Sequence, residues 1–256
     1  MFKELGFQLY TMREYIKNPE ICDVALGKVK ALGYTECHGA CMEDKPYLFD
    51  LLKKHGILLT GNHYDLNLIK ADPEKVLEKH AECGAKTIGT GAMWGDTARD
   101  YDKLMEYIED FNNLAETCSK YGFKLTYHNH SFEFTRIKGY KTIMDVLYEN
   151  LNPSTTSFVL DTCWVAAGGH DVIDWMEKLK GRIDILHLKD LYMKYDQNRV
   201  VPADTEIGNG SLNWDKIMAK AEEIGVKYYC VEQDTCEYDS IKSLGMSAEF
   251  LKKYMA

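Results

Sequence analysis

The stretch LTYHNHSFEF, residues 125–134, sets His128 and His130 two positions apart, with Glu133 three residues further on. Residues two apart on an extended strand point to the same side, so two imidazoles would converge there beside a carboxylate. Paired imidazoles serve metal binding or proton transfer, because the ring is a neutral ligand and titrates near physiological pH. Similar groups recur along the chain: Glu36 and His38 in YTECHG, His63 in ILLTGNH, and Asp161 in SFVLDT. They continue with His187 and Lys189 in IDILHLKD, and with Glu232 and Asp234 in YYCVEQD. Asp161, His187 and Glu232 close three successive apolar runs. Neighbouring strands lie ~4.8 Å apart, so these three tips can meet on one ion. An Asp, a neutral His and a Glu form a mixed oxygen and nitrogen donor set suited to Mn²⁺, Mg²⁺, Co²⁺ or Zn²⁺. Taken singly the residues have plainer readings: Asp161 as the cap of the next turn, Glu36 pointing outward between helices, and Lys189 with Asp190 as a solvated ion pair.

The elements that must carry these residues alternate. Strand-like runs fall at residues 6–10, 34–39, 57–63, 86–91, 123–130, 157–162, 183–190 and 228–234. Between them lie helical patterns such as PEICDVALGKVKALG, PYLFDLLKKHG and PEKVLEKHAECG, with apolar residues at three- and four-residue spacing. These begin at or near Pro19, Pro46 and Pro73, where a helix tolerates proline. They close on Gly33, Gly56 and Gly84, as helix C-termini often do. Eight strands alternating with helices over about 250 residues predict an α/β chain forming one (β/α)₈ TIM barrel over residues 1–256. An open doubly wound sheet also alternates, but it usually has fewer strands, and no G-x-G-x-x-G follows the first run. A barrel places its active site at the C-terminal strand ends, where the titratable residues lie.

Composition narrows the class. The chain has 256 residues, 45% hydrophobic and 28% charged, which is ordinary for a globular protein. Its net charge of −9 and lack of a basic tract argue against binding nucleic acid. No run approaches the ~18 apolar residues of a membrane span, and the start MFKELGFQLYTMREY lacks the apolar segment of a secretory signal. The eight cysteines are scattered without a C-x-x-C pair, which fits reduced thiols and a cytoplasmic location. A homo-oligomer is compatible with the chain, and nothing in the sequence fixes the oligomeric state.

The motifs YHNHSFEF, VLDTCWVAAGGHD, ILHLKD, EIGNGSLNW and YYCVEQD, with GFQLYTMRE at the start, resemble the sugar phosphate isomerase/epimerase group of xylose-isomerase-like barrels. The resemblance covers nearly the whole chain. It implies one divalent metal held by strand ends five to eight, with Asp161, His187 and Glu232 as the ligands of the last three. Related epimerases place a Glu near the end of the fifth strand, where this chain has His128. Either His128 coordinates directly or Glu133 folds back to replace that carboxylate; we expect Glu133 as the fourth ligand, with His128 and His130 facing the same cavity. The implied activity is proton abstraction beside the carbonyl of a sugar or sugar derivative through an enediolate, ending in isomerisation or epimerisation. Loss of a β-leaving group from the same intermediate would instead give a keto-sugar dehydratase or lyase. A non-catalytic sugar-binding barrel and a base-excision endonuclease holding several zinc ions are the remaining alternatives. Glu232 is expected as ligand or base, His130 and His63 as acid/base groups, and Lys189 as the holder of a substrate oxyanion or phosphate. Trp164 would wall the sugar site beside His128. The loop TEIGNGSLNW, 205–214, would cover the mouth and carry Glu206, with a phosphate nest as an option.

Overall fold

The structure, a computed structural model, describes residues 2–93 and 95–256. Eight parallel strands close into a barrel: β1 Leu5–Gln8, β2 Tyr34–Ala40, β3 Leu58–His63, β4 Thr87–Thr90, β5 Lys124–His128, β6 Thr156–Asp161, β7 Ile183–Leu188 and β8 Tyr228–Val231. Each strand pairs with its neighbours in sequence, and β8 closes on β1 through Gly6 opposite Cys230. The expected (β/α)₈ TIM barrel is therefore present, with strand positions within a few residues of those read from the chain.

Local signals set the helices. Asn18 accepts from the N–H groups of Glu20 and Ile21 and starts the helix Pro19–Ala31, with the proline in its first turn. Asp72 caps Pro73–Ala81 in the same way. Gly33 and Gly84 follow their helices with φ of 103° and 95°, a region that a side chain disfavours.

The apolar mass lies between the strands and the surrounding helices. Inside the barrel Val159, Ile185 and Cys230 form a small separate cluster, with Tyr228 against it. Glycines allow the strands to close over so thin an interior. A Cβ on Gly61 would run into Thr87 and Ile185, and one on Gly89 into the backbone of Thr126. Above this floor the inward side chains are polar.

Two features depart from the sequence reading. After β7 the chain does not go directly into a loop but forms an antiparallel hairpin, Asp190–Asp196 against Arg199–Thr205. Glu36 points into the barrel, not outward, because it alternates in step with His38, and its Cβ would be 3.3 Å from one added to Gly6. It is 8% exposed, and burial, with Glu4 nearby, pushes its carboxyl up to about 7.

That position has a consequence for stability. The Glu36 carboxyl in the folded protein lies above its ordinary 4.5, so between about pH 4.5 and 7 the folded state binds the proton more tightly than the unfolded chain. Folding stability from this group therefore falls as pH rises through that window. Glu36→Gln should raise Tm by several degrees at pH 8 and by much less at pH 4.5. Thermal melts of the two proteins at both pH values check this, and an equal shift at both would contradict it.

Candidate metal centre and active site

The tips of β5, β6, β7 and β8 bring His128, Asp161, His187 and Glu232 together, with one potential ligand atom from each within 4.8 Å of the others. Register explains the meeting. Asp161 lies directly opposite His187, and the Glu232 N–H donates to the Leu188 carbonyl at 3.0 Å. All four side chains are buried.

Their facing atoms are unpaired. His128 Nε2, Asp161 Oδ2, His187 Nδ1 and Glu232 Oε2 are each buried without a hydrogen bond. Yet His187 Nδ1 is 2.7 Å from Glu232 Oε2, and His128 Nε2 is 3.6 Å from Asp161 Oδ2. Buried polar atoms normally find partners. Two imidazole nitrogens and two carboxylate oxygens brought this close without aligned hydrogen bonds form a donor set suited to a cation. The far side of three of these groups is held. His128 Nδ1 lies 2.9 Å from the Gly91 carbonyl, and Asp161 Oδ1 accepts from the Trp164 N–H at 2.9 Å. His187 Nε2 lies 2.7 Å from His38 Nδ1. Asp161 is thus both the helix cap and a member of the cluster. Buried Asn129 ties the tips of β5 and β6 by accepting from the Asp161 N–H at 2.9 Å.

Electrostatics favours charged carboxylates here. Burial alone would raise the Glu232 carboxyl, but His187 and the Lys189 ammonium outweigh it and hold it well below its ordinary range. Burial lowers the His128 imidazole, while Asp161 and Glu232 more than restore it. Burial keeps His38 and His63 neutral, and pushes His130 down to about 3.

Glu133, expected as the fourth ligand, does not reach the cluster. It is fully buried elsewhere, accepting from the Tyr127 hydroxyl at 2.7 Å and the His130 N–H at 2.7 Å. Tyr127 alternates with His128 and faces the opposite side of β5, so a carboxylate bound to it points away from the barrel axis. His128 stands in the cluster instead. Glu206 also lies elsewhere: it accepts from the Ser243 hydroxyl at 2.7 Å and pins its loop to the helix Ser240–Leu251. The loop's amides do form a nest, but the chain's own Asp190 fills it. That carboxylate accepts from the N–H groups of Gly208, Gly210 and Leu212, at 3.0–3.2 Å, and from the Trp214 indole. Asp190 is fully buried, not a solvated partner of Lys189.

Lys189 is fully buried too, its ammonium 2.5 Å from Asp234, 3.8 Å from Asp161 and 4.0 Å from Glu232. Those carboxylates overcome burial and keep it charged. It neutralises the cluster from behind and lies 4.6 Å from the centre of the Trp164 ring. Trp164 in turn packs against His130 at 5.5 Å between rings.

In front of the cluster opens a cavity of about 560 Å³ lined by His63, His128, His130, Glu232 and Asp234, with Tyr10, Tyr64, Glu43 and Asp65 nearer the mouth. No Lys or Arg is among its described lining residues. His38, His63 and His187 form a second close group sharing one ring with the first. Sequence reasoning assigned no role to Gln8 or Asn129, and marked Asp234 only as a strand-end carboxylate. A fully buried glutamine at the end of an apolar strand was the one signal for Gln8.

A family model described as xylose isomerase-like TIM barrel matches residues 47–254. An inosose dehydratase of Mesomycoplasma hyopneumoniae is 26% identical over 189 residues, which is 66% of this chain and 62% of that protein, so the match spans less than two thirds of its length. An inosose dehydratase of Geobacillus kaustophilus is 22% identical over 90% of this chain and 86% of its own. A sugar phosphate isomerase/epimerase from Parabacteroides distasonis has the same fold, with a TM-score of 0.82 at 22% identity over 100% of this chain and 96% of that one. A xylose isomerase-like TIM barrel protein from Mycobacterium smegmatis, solved in complex with magnesium, gives a TM-score of 0.73 at 13% identity over 99% and 96%.

The geometry separates the two candidates for the fifth-strand ligand. His128→Gln should weaken Mn²⁺ binding by more than the roughly 10–100-fold typical of an outer-shell change, while Glu133→Gln should keep one ion per chain. Isothermal titration and elemental analysis of both variants check this. Metal lost in the Glu133 variant alone would return the ligand role to that residue.

Proposed function

Because the chain belongs to the xylose isomerase-like TIM barrel family, we propose that it is a divalent-metal-dependent enzyme that moves a proton beside the carbonyl of a keto sugar or cyclic keto polyol. The observation that carries this reading is the set of four unpaired, buried ligand atoms on His128, Asp161, His187 and Glu232 at the cavity floor. These residues would hold the ion. When bound, it would supply a Lewis acid that polarises a carbonyl and its neighbouring hydroxyl, making the adjacent C–H more acidic.

The chain's own groups do the rest. His63 and His130 line the cavity as neutral imidazoles and are in position to take or return a proton. Asp234 also lines it, its carboxyl raised to about 6 by burial against the pull of Lys189. Lys189 offsets the charge of Asp161, Glu232 and Asp234. Removal of the proton next to the carbonyl leaves an enediolate. Its reprotonation on another carbon or face gives isomerisation or epimerisation. Departure of a β-hydroxyl, protonated to water by an acid of the cavity, gives an unsaturated ketone.

The dehydratase outcome has support of its own, because both curated relatives are inosose dehydratases. The cavity lining favours a neutral substrate over a phosphorylated one: Glu43, Asp65, Glu232 and Asp234 face it, and none of its described lining residues is a Lys or Arg that could meet a phosphate.

The test is incubation of the Mn²⁺-loaded protein in D₂O with inosose and with free and phosphorylated keto sugars, followed by NMR. Deuterium should enter at the carbon beside the carbonyl of a neutral substrate, and His63→Ala or His130→Ala should slow that exchange by about 100-fold with metal retained. Binding of these compounds without exchange in any of them would contradict the enzymatic reading and favour a sugar-binding barrel.

A further inference from the structure

We propose that Gln8 and His38 fix the tautomer of His187, so that its bare Nδ1 faces the ion; this rests on the reading of the cluster as a metal centre. The inference follows hydrogen-bond polarity from one end. The Tyr10 backbone N–H can only donate, and it donates to Gln8 Oε1 at 3.3 Å. The amide oxygen is thereby identified, and the Gln8 NH₂ is the group 3.0 Å from His38 Nδ1. An amide NH₂ has no acceptor capacity, so His38 Nδ1 must carry a lone pair. His187 Nε2 lies 2.7 Å from that same nitrogen. Two bare nitrogens at this distance would repel, so His187 Nε2 holds the proton and shares the His38 lone pair with Gln8. A ring that ligates a cation is neutral and has one N–H, so with Nε2 holding the proton Nδ1 is its bare atom toward the ion.

That atom is the one 2.7 Å from Glu232 Oε2. Were the proton on Nδ1, it would stand between the ring and the Glu232 carboxylate, and that nitrogen would have no lone pair for a cation. Gln8 and His38 thus decide whether that nitrogen can be a ligand. Water has no route to replace them, since Gln8, His38 and His187 are all fully buried. The pairing is built into the barrel: Gln8 ends β1 directly opposite His38 on β2. Fixing a ligating ring through its far nitrogen is the general use of such outer partners. Here the partner is neutral and its polarity is imposed by a backbone amide two hydrogen bonds away.

Gln8→Met keeps the length and removes the donor. His38 is then free to carry its proton on Nδ1 and donate to His187 Nε2, and His187 gains an attraction to the Glu232 carboxylate by moving its proton to Nδ1. Long-range ¹H–¹⁵N NMR of the metal-free wild type should show His187 protonated on Nε2, and of Gln8→Met a substantial fraction protonated on Nδ1. Mn²⁺ binding to the variant, measured by titration calorimetry, should be about 10–100-fold weaker with an unchanged circular dichroism spectrum. A wild type protonated on Nδ1 overturns the proposal, and so does a variant that keeps both tautomer and affinity. If the variant does not fold, the wild-type tautomer alone decides. A wild type with the expected tautomer that binds no Mn²⁺, Mg²⁺, Co²⁺ or Zn²⁺ would sink the metal reading while the assignment of Gln8 and His38 stands.

Discussion

Four lone-pair atoms buried at one point without hydrogen bonds are the constraint around which this barrel is arranged. Each desolvated group left without a partner costs on the order of 1–3 kcal/mol, and more when charged. A chain that assembles His128 Nε2, Asp161 Oδ2, His187 Nδ1 and Glu232 Oε2 in this way holds a strained set that a cation would satisfy. Lys189 sets one positive charge of the chain's own beside these carboxylates. Its ammonium touches Asp234 closely and lies 3.8–4.0 Å from Asp161 and Glu232, so it screens the carboxylates without bonding to the ligand atoms.

Much of the architecture serves to keep these atoms both close and unpaired. The apolar interior is thinned to Val159, Ile185 and Cys230, which leaves the upper barrel to polar side chains. Three of the four cluster residues have their other polar atom occupied: Asp161 by the helix it caps, His128 by Gly91, His187 by His38. Three buried carboxylates away from the centre are spent on structure. Glu133 braces the turn of His130, Asp190 organises the 205–214 loop, and Glu206 ties that loop to the last helix.

The barrel was legible because parallel strands packed on both faces read as apolar runs, and polar residues at their ends stand out. The same contrast marked Asp161, His187 and Glu232 as convergent. What could not be read was which acid near the fifth strand turns inward. Glu133 follows His130 by three residues, but its direction is set by the Tyr127 hydroxyl, and that contact depends on the turn 129–134 and not on strand alternation. Glu206 and Asp190 were misjudged for a related reason. A Gly-rich loop advertises an anion, and nothing local tells whether the anion is a ligand or a carboxylate of the chain. The hairpin 190–205 was missed because an exposed two-stranded ribbon buries little and leaves a weak hydrophobic pattern.

The candidate centre, the neutral imidazoles beside it and the acidic cavity form one proposal: a keto sugar or keto polyol lying over an ion at the tips of β5 to β8. Its most direct test is the position of the ion. Crystals grown with Mn²⁺ and measured at a wavelength with strong manganese anomalous scattering should show one peak, within bonding distance of His128 Nε2, Asp161 Oδ2, His187 Nδ1 and Glu232 Oε2. A peak elsewhere in the barrel, or none at full Mn²⁺ saturation, would contradict the assignment of these four residues.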